Sequence, residues 1–173
     1  MKLSKPHFIV AVIFSFFTIF LMFGFGKKVL AGSFDDLGLS QQRINPDSII
    51  YFAKRVWEKF CVKIVIKHES KVEYYEILIE KRLSELGYVA KSKNIGQTQK
   101  ASERFSYFSG TLTEYLLEKE GVDEDKKRLR ERFENYKKPL EELRDEFPAN
   151  SSDWMMISYC IDSLKEYSTK LQN

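Results

Sequence analysis

Apolar residues recur at helical spacing from residue 45 to the end of the chain, in five segments separated by polar stretches that contain glycine or proline. The first segment opens with Asn45, Pro46 and Asp47: a capping residue, a proline at the first helical position and an acid in the first turn. Its expected inward face is Ile49, Ala53, Val56, Trp57, Phe60, Cys61 and Ile64. We expect the opposite face in solvent, with Lys54, Arg55, Glu58, Lys59 and Lys63.

The second and third segments continue the helical period. The second helix is expected over about residues 69–86, with Gly87 as a left-handed cap, and the pattern also allows helical character to resume through Ala90. The polar stretch 91–97 predicts a loop, and a third helix follows over about residues 98–120 and ends at Gly121. The expected inward residues are Val72, Tyr75, Ile79, Leu83 and Leu86 in the second helix, and Ala101, Phe105, Phe108, Leu112, Tyr115 and Leu116 in the third.

The fourth segment carries a heptad seam that passes through a proline. Residues 123–125 are acidic and suit the positive end of a helix dipole. Pro139 falls inside the seam without shifting its phase, which predicts a kinked helix rather than a loop. Pro148 and the polar residues after it predict a turn, and residues 150–152 offer the cap of a fifth helix. The expected inward residues are Leu129, Phe133, Tyr136, Leu140, Leu143 and Phe147 in the fourth helix, and Trp154, Ile157, Ile161, Leu164 and Leu171 in the fifth.

These segments predict an all-α fold. Residues 62–66 are β-branched and also fit a short strand, but no later segment offers a partner strand, so we assign them to the end of the first helix. About five amphipathic helices joined by short loops predict antiparallel hairpins or an elongated bundle. An N-terminal transmembrane or signal helix is expected to precede them.

That N-terminal element is the apolar run of residues 8–26, nineteen residues without a charge. At about 1.5 Å per residue, a helix of this length covers roughly the 30 Å hydrocarbon core of a bilayer. Residues 29–31 offer a signal-peptidase site before Gly32, whereas the length of the run and the two lysines after it favour a retained anchor. Both alternatives place the rest of the chain outside the cytoplasm, in the cell membrane as a single-pass protein or secreted after cleavage near Ala31.

The remaining chain is expected to form one domain behind a tether. We divide the chain into a signal peptide or signal anchor, residues 1–31, a polar linker, residues 32–44, and a helical domain, residues 45–173. This length suffices for one hydrophobic core and is short for two.

The net charge of +3 does not indicate a nucleic-acid partner. Four of the 28 basic residues, Lys2, Lys5, Lys27 and Lys28, lie in the leader, and all 25 acidic residues follow it. The exported part therefore carries 24 basic and 25 acidic residues, a net charge of −1. Nucleic-acid binding needs a basic excess on one surface, so we expect no nucleic-acid partner.

Two cysteines, Cys61 and Cys160, fall on the apolar faces of the first and last helices. One interpretation is two small buried apolar side chains, because free cysteine is among the most buried residue types. The other is a single disulfide that joins the two helices in an oxidising compartment.

The sequence offers few groups for chemistry. Metal binding needs several ligands in one place, yet His7 lies in the leader and His68 stands alone. A row at helical spacing, Glu69, Glu73, Glu76 and Glu80, can collect a hard cation, but a solvated acidic face paired with Lys71, Lys81 and Arg82 explains it equally well and is commoner. We therefore predict no metal site and no cofactor.

Enzymatic activity is also not expected. No nucleophile motif is present, and a Ser-His-Asp arrangement in the domain would have to centre on His68. An envelope hydrolase would instead depend on a carboxylate such as Glu58 or Glu80. We predict no catalytic residues.

Aromatic residues occupy the apolar stripes of several helices. Core packing explains Trp57, Trp154, Phe105, Phe108, Phe133 and Phe147. The alternative is that thin hairpins leave some of them exposed as a groove for a partner helix.

Residues 44–60, INPDSIIYFAKRVWEKF, resemble the opening signature of a bacterial family, domain of unknown function 5667. The matching features include Pro46, Asp47, Ser48, Tyr51, Lys54, Trp57, Glu58 and Lys59. The likeness continues through residues 74–86 and, more loosely, to Leu171, while residues 67–71 stand where the family more often has an Asp-Pro turn. The resemblance implies an all-helical domain behind a signal peptide or membrane segment, and it supplies no catalytic residues.

These observations together predict an extracytoplasmic helical domain that serves as a protein-interaction or structural module of the bacterial envelope. The partners expected are the membrane, through residues 8–26 if they are retained, and a protein. A membrane-anchored sensory or regulatory ectodomain is the alternative, and an envelope hydrolase is a third hypothesis.

Overall fold

The computed structural model describes residues 50–172. The leader of residues 1–31 with its apolar run 8–26, the linker of residues 32–44 and the predicted cap at residues 45–47 lie outside the described residues. Within the part of the chain that is described, no helix combines the length and the apolar character needed to cross a membrane.

Five α-helices make up the described chain, and no strand occurs among residues 50–172. The helices are α1 (Tyr51–Ile64), α2 (His68–Lys91), α3 (Ile95–Leu117), α4 (Asp123–Asp145) and α5 (Ser152–Lys170). The all-α prediction is therefore confirmed for this region. Of residues 62–66, which were assigned to the end of the first helix, residues 62–64 belong to it, whereas Val65 and Ile66 lie beyond its end.

Helices α2 to α5 form a four-helix bundle. The close pairs are α2 with α3, α3 with α5, and α5 with α4. Contacts between helices give their directions. Ser106 of α3 lies beside Cys160 of α5, and Gly110, one turn later in α3, lies beside Tyr167. Helices α3 and α5 therefore run parallel. The α2–α3 and α4–α5 pairs are antiparallel hairpins. Ion pairs between residues distant in the sequence connect α2 to α4.

Most residues of the bundle core are those that the heptad and helical stripes predicted. Leucine, isoleucine and phenylalanine side chains from all four helices are fully buried, and burial of each such side chain stabilises the fold by about 1.5–3 kcal/mol. The inward residues predicted for α2 are all buried, and so are five of the six predicted for α4. Phe108, Tyr115, Phe147 and Tyr167 pack against the same core while partly exposed.

Several helix ends follow the local capping chemistry. Ser151 caps α5 by accepting a hydrogen bond from the Trp154 backbone N–H at 3.3 Å, as the sequence predicted. Gly121 has φ +72°, which fits its predicted place after α3. Asn94 caps α3 by accepting from the Gln97 N–H at 3.2 Å, so this helix starts at Ile95 and the predicted seven-residue loop is shorter.

The prediction that Gly87 caps the second helix is wrong. Gly87 is buried inside α2, and the helix continues to Lys91. Val89 and Ala90, in the extra turn, are buried in the core. Tertiary burial of this turn outweighs the roughly 1 kcal/mol that a helical glycine costs relative to alanine.

Pro139 lies within α4, which runs unbroken from Asp123 to Asp145, so the absence of a loop at this proline is confirmed. The flanking seam residues Tyr136, Leu140 and Leu143 stay buried on one side. Their packing holds the helix together where the proline removes a backbone hydrogen bond.

The predicted orientation of the first helix is wrong. Val56, Phe60 and Ile64, expected inward, are exposed, while Glu58, expected in solvent, is buried. The physical reason is that α1 packs mainly on a polar side of α2 and contributes to the apolar core through Val62.

Candidate functional site

A buried arginine joins α1 to the bundle. Arg82 of α2 is 1% exposed and lies between two carboxylates. One of its terminal nitrogens donates to Glu58 of α1, and the other donates to Glu85 Oε2 at 2.6 Å. Both carboxylates are buried as well, so the guanidinium charge is balanced where water cannot solvate it.

Three further side chains surround this pair of ion bridges. Lys54 of α1 donates to Glu85 Oε1 at 2.8 Å. The Tyr51 hydroxyl donates to Glu85 Oε2 at 2.9 Å and accepts from Arg104 of α3 at 2.9 Å. We call this set the ionic cluster; its members are Tyr51, Lys54, Glu58, Arg82, Glu85 and Arg104.

The protonation equilibria of the cluster reflect these contacts. Burial acts to raise the pKa of Glu85, but the charges of Arg82 and Lys54 outweigh it and hold that pKa below its usual range. Burial, followed by the negative charge of Glu85, raises the pKa of Tyr51 to about 12. The cluster is therefore ionised around Glu85 at neutral pH, with a protonated tyrosine at its edge.

Because α1 faces the bundle with its polar side, its apolar side points away from the bundle. Residues four apart on a helix advance by about 40°, so a continuous ridge runs along the outer side of α1. We call it the α1 apolar face, formed by Phe52, Val56, Phe60 and Ile64. These four side chains are between 52% and 77% exposed. Exposure on this scale, in one contiguous row, differs from the single apolar residues that are scattered over ordinary protein surfaces.

Basic residues flank the α1 apolar face. Lys59 and Lys63 are exposed beside it, and Arg55 is partly exposed. The one acidic residue of α1 is Glu58, which is buried against Arg82. The outer side of α1 is therefore apolar and positively charged.

The predicted acidic row of α2 is divided between solvent and the bundle. Glu69 and Glu73 are exposed, whereas Glu76 is buried and accepts from Arg128 at 3.0 Å. Glu80 accepts from Arg132 at 2.5 Å. The inner half of the row thus joins α2 to α4 and is not a solvated face, and Arg82, expected to pair with the row, belongs to the ionic cluster. Among residues 50–172, no three His, Cys, Asp or Glu side chains converge as a metal site would require.

His68 contacts two other helices at one end of the bundle. Its Nδ1 lies 3.0 Å from the Tyr115 hydroxyl and its Nε2 lies 3.0 Å from Asp125 Oδ2. The imidazole also stacks on the Tyr115 ring, with 5.6 Å between the ring centres. This arrangement joins the start of α2, the last turn of α3 and the first turn of α4.

A shallow depression elsewhere, between α4 and α5, is lined by Lys127, Arg130, Glu131, Glu134, Ser168 and Gln172.

The carboxylates proposed for a hydrolase, Glu58 and Glu80, are engaged by different arginines and lie on different helices. Glu58 is bound to Arg82 inside the ionic cluster, and Glu80 is bound to Arg132 at the surface of α4. Each of the two carboxylates is therefore paired with an arginine of the bundle.

Both cysteines are free thiols. Cys160 is in the core, where burial raises the pKa of its thiol to about 12, which fits a small buried side chain. Cys61 is half-buried on α1. Burial, followed by the nearby Cys61 thiol, raises the pKa of Tyr74.

The aromatic residues fall into two groups. Phe105 and Phe133 are fully buried, so core packing explains them. Trp154 is half-buried, with the Arg144 guanidinium 5.7 Å from its ring centre. Phe60 lies on the α1 apolar face, and half-buried Trp57 contacts it with 5.8 Å between ring centres. The exposed phenylalanines Phe52 and Phe60 lie on α1, and exposed tyrosines also occur on other helices, such as Tyr159 of α5.

We expect the substitution Arg82→Met to reduce the free energy of unfolding by about 3–5 kcal/mol, because Glu58 and Glu85 then remain buried without their main countercharge. Lys165→Met, which breaks an exposed pair with Asp162, is the matched control and should cost no more than about 1 kcal/mol. Urea unfolding of both variants measures the difference. Equal losses in the two variants would show that the ionic cluster does not hold α1.

Acid should weaken the ionic cluster. The pKa of Glu85 in the folded chain lies below its ordinary value of 4.5, so the contribution of Glu85 to stability is complete above that value. It is lost as the pH falls from there through the folded pKa. We expect the Glu85→Gln variant to be less stable than the wild-type chain at neutral pH. As the pH falls below 4.5, the variant should lose less of its free energy of unfolding than the wild-type chain does.

Unfolding curves recorded across this range test the pH dependence. Glu131→Gln, at an exposed position of α4, is the control and should retain the wild-type slope. An unchanged slope in Glu85→Gln would assign the acid sensitivity to other carboxylates.

Comparison with known proteins gives a family for this chain. Residues 43–150 match the family described as domain of unknown function 5667. The match includes α1 to α4 and the ionic cluster, and it ends before α5, so the likeness suggested by the sequence up to Leu171 is found as far as residue 150. No curated protein and no solved structure shows a significant match to the chain. Over the greater part of its length, therefore, this chain belongs to the domain of unknown function 5667 family.

Proposed function

We propose that this protein is an extracytoplasmic helical interaction module of the bacterial envelope, which binds through the α1 apolar face rather than catalysing a reaction. The observation that carries the proposal is the outward orientation of Phe52, Val56, Phe60 and Ile64. A helix of a soluble domain normally turns its apolar side toward the core, because exposed apolar surface is costly in water. Binding of a partner to the α1 apolar face would remove these side chains from water and so explain why they point outward.

The way α1 is attached supports the proposal. The ionic cluster occupies the opposite side of the helix, so contact with a partner does not compete with the contact to the bundle. Buried charges are expensive to arrange, and their geometry fixes which side of α1 is turned outward. The orientation is therefore determined by specific contacts and not by loose packing.

The distribution of polar side chains supports binding over catalysis. Glu58 and Glu80 are each neutralised by an arginine, and His68 ties three helix ends together between Tyr115 and Asp125. In these positions their contacts are with other helices of the bundle. The apolar run of residues 8–26 supports the extracytoplasmic part of the proposal.

Location is tested by protease digestion of intact spheroplasts that express the full chain. We expect the helical domain to be degraded without lysis, because it lies outside the cytoplasmic membrane. A cytoplasmic protein serves as the internal control and should remain intact. Protection of the domain until lysis would contradict the extracytoplasmic location.

The contact surface is tested with a photo-crosslinking phenylalanine analogue placed at Phe60 or at Tyr159 in living cells. Tyr159 of α5 is the matched control, since it is exposed to a similar degree, 58% against 52%. We expect adducts, to protein or to lipid, at position 60 and none at position 159. The proposal fails if position 60 forms no adduct or if the two positions react alike.

A further inference from the structure

We propose that the occupant of the α1 apolar face is the surface of an anionic lipid bilayer, on which α1 lies parallel to the membrane plane. The inference rests on the proposed role of this face in binding. It specifies the partner as the boundary between lipid headgroups and acyl chains, rather than a second protein chain.

The shape of the α1 apolar face fits a bilayer interface. The face is a ridge on a helix of 14 residues, about 21 Å long, and it projects from the bundle instead of lining a groove. Ile50 and Ile66, at the two ends of the helix, are also exposed, at 47% and 87%. A projecting apolar ridge of this kind can enter the outer acyl region of a bilayer while the rest of the domain stays in water.

The charges around the face fit anionic lipid. Lys59 and Lys63 lie beside the ridge, and Lys67 follows the helix; all three are exposed. The acidic residue of α1, Glu58, is withdrawn into the ionic cluster, so no carboxylate from α1 opposes the lipid phosphates. A helix with apolar residues on its outer side and lysines at the margins is the pattern of interfacial membrane helices.

The position of α1 in the chain also fits this role. The apolar run that can span a membrane ends at Gly26, and the described chain begins at Ile50. The 23 intervening residues can extend to at most about 80 Å, whereas a headgroup layer is only about 5–8 Å thick. Of the five helices, α1 is the one nearest to that run in the sequence, so a tethered chain keeps it at high local concentration near the bilayer.

A second copy of the chain is a less suitable occupant. Two α1 apolar faces packed together would bring Arg55, Lys59 and Lys63 of one copy next to those of the other. Neither helix supplies an exposed carboxylate to pair with them. Like charges at an apolar contact oppose association, whereas an anionic bilayer attracts them.

The inference is tested with the full chain reconstituted in vesicles of phosphatidylglycerol that carry brominated acyl chains. The tryptophans at positions 57 and 154 are replaced by phenylalanine, and a single tryptophan is introduced as Phe60→Trp or, for the matched control, Tyr159→Trp. Bromine quenches tryptophan on contact. We expect the fractional loss of emission at position 60 to be at least about twice that at position 159, because only the first residue enters the bilayer.

The charge contribution is measured in the same vesicles by adding Lys59→Ser and Lys63→Ser to the Phe60→Trp chain. Removal of two lysines near an anionic surface should shift the docking equilibrium by about 30-fold and reduce the quenching accordingly. Circular dichroism confirms that each variant is folded before it is compared.

Three results would overturn the inference: no quenching at position 60, equal quenching at positions 60 and 159, or quenching that does not respond to the lysine substitutions. Protein adducts at position 60 in cells, combined with no quenching in vesicles, would retain the proposed binding role and reject lipid as the partner. Absence of any adduct at position 60 would reject the binding role itself.

Discussion

Burial of a guanidinium is unfavourable unless carboxylates neutralise it, and Arg82 has two of them, Glu85 from its own helix and Glu58 from α1. This requirement fixes the rotation of α1 about its own axis. If the helix turned its apolar side to the bundle, Glu58 would leave Arg82 and the arginine would remain with one buried partner. The cost of that rearrangement is what keeps four large apolar side chains in water.

The buried core lies in α2 to α5 and is built from the α2–α3 and α4–α5 hairpins and the contacts between α3 and α5. Val62 of α1 packs against this core. The chain thus has two structural layers, an apolar bundle and a helix held to it by ionic contacts. Function is proposed for the second layer because its outer surface carries a row of apolar side chains that no other part of the described domain covers.

The sequence predicted the bundle well and α1 poorly, for one reason. Helical periodicity identifies which side of a helix is apolar, and in α2 to α5 that side meets other apolar sides, as with Phe105 and Phe133. For α1 the period was correct, but it carries no information about what the apolar side faces. The charges that decide the matter, Glu58 and Arg82, are 24 positions apart, and each is an ordinary surface residue by its local pattern. Leu78 of α2, which lies outside the predicted stripe, is also fully buried, so the stripe predicted for α2 was too narrow.

The order of elements has a mechanical consequence. Tension applied to the chain from its N-terminal side reaches α1 before any other helix, and it is borne first by the ionic contacts among Glu58, Arg82 and Glu85. These contacts are few and short-ranged, so they yield over a small displacement, whereas the interlocked apolar layers of the bundle resist until much more surface is pulled apart. If the chain is pulled from its N-terminal side, we therefore expect α1 to separate from the bundle while α2 to α5 remain folded.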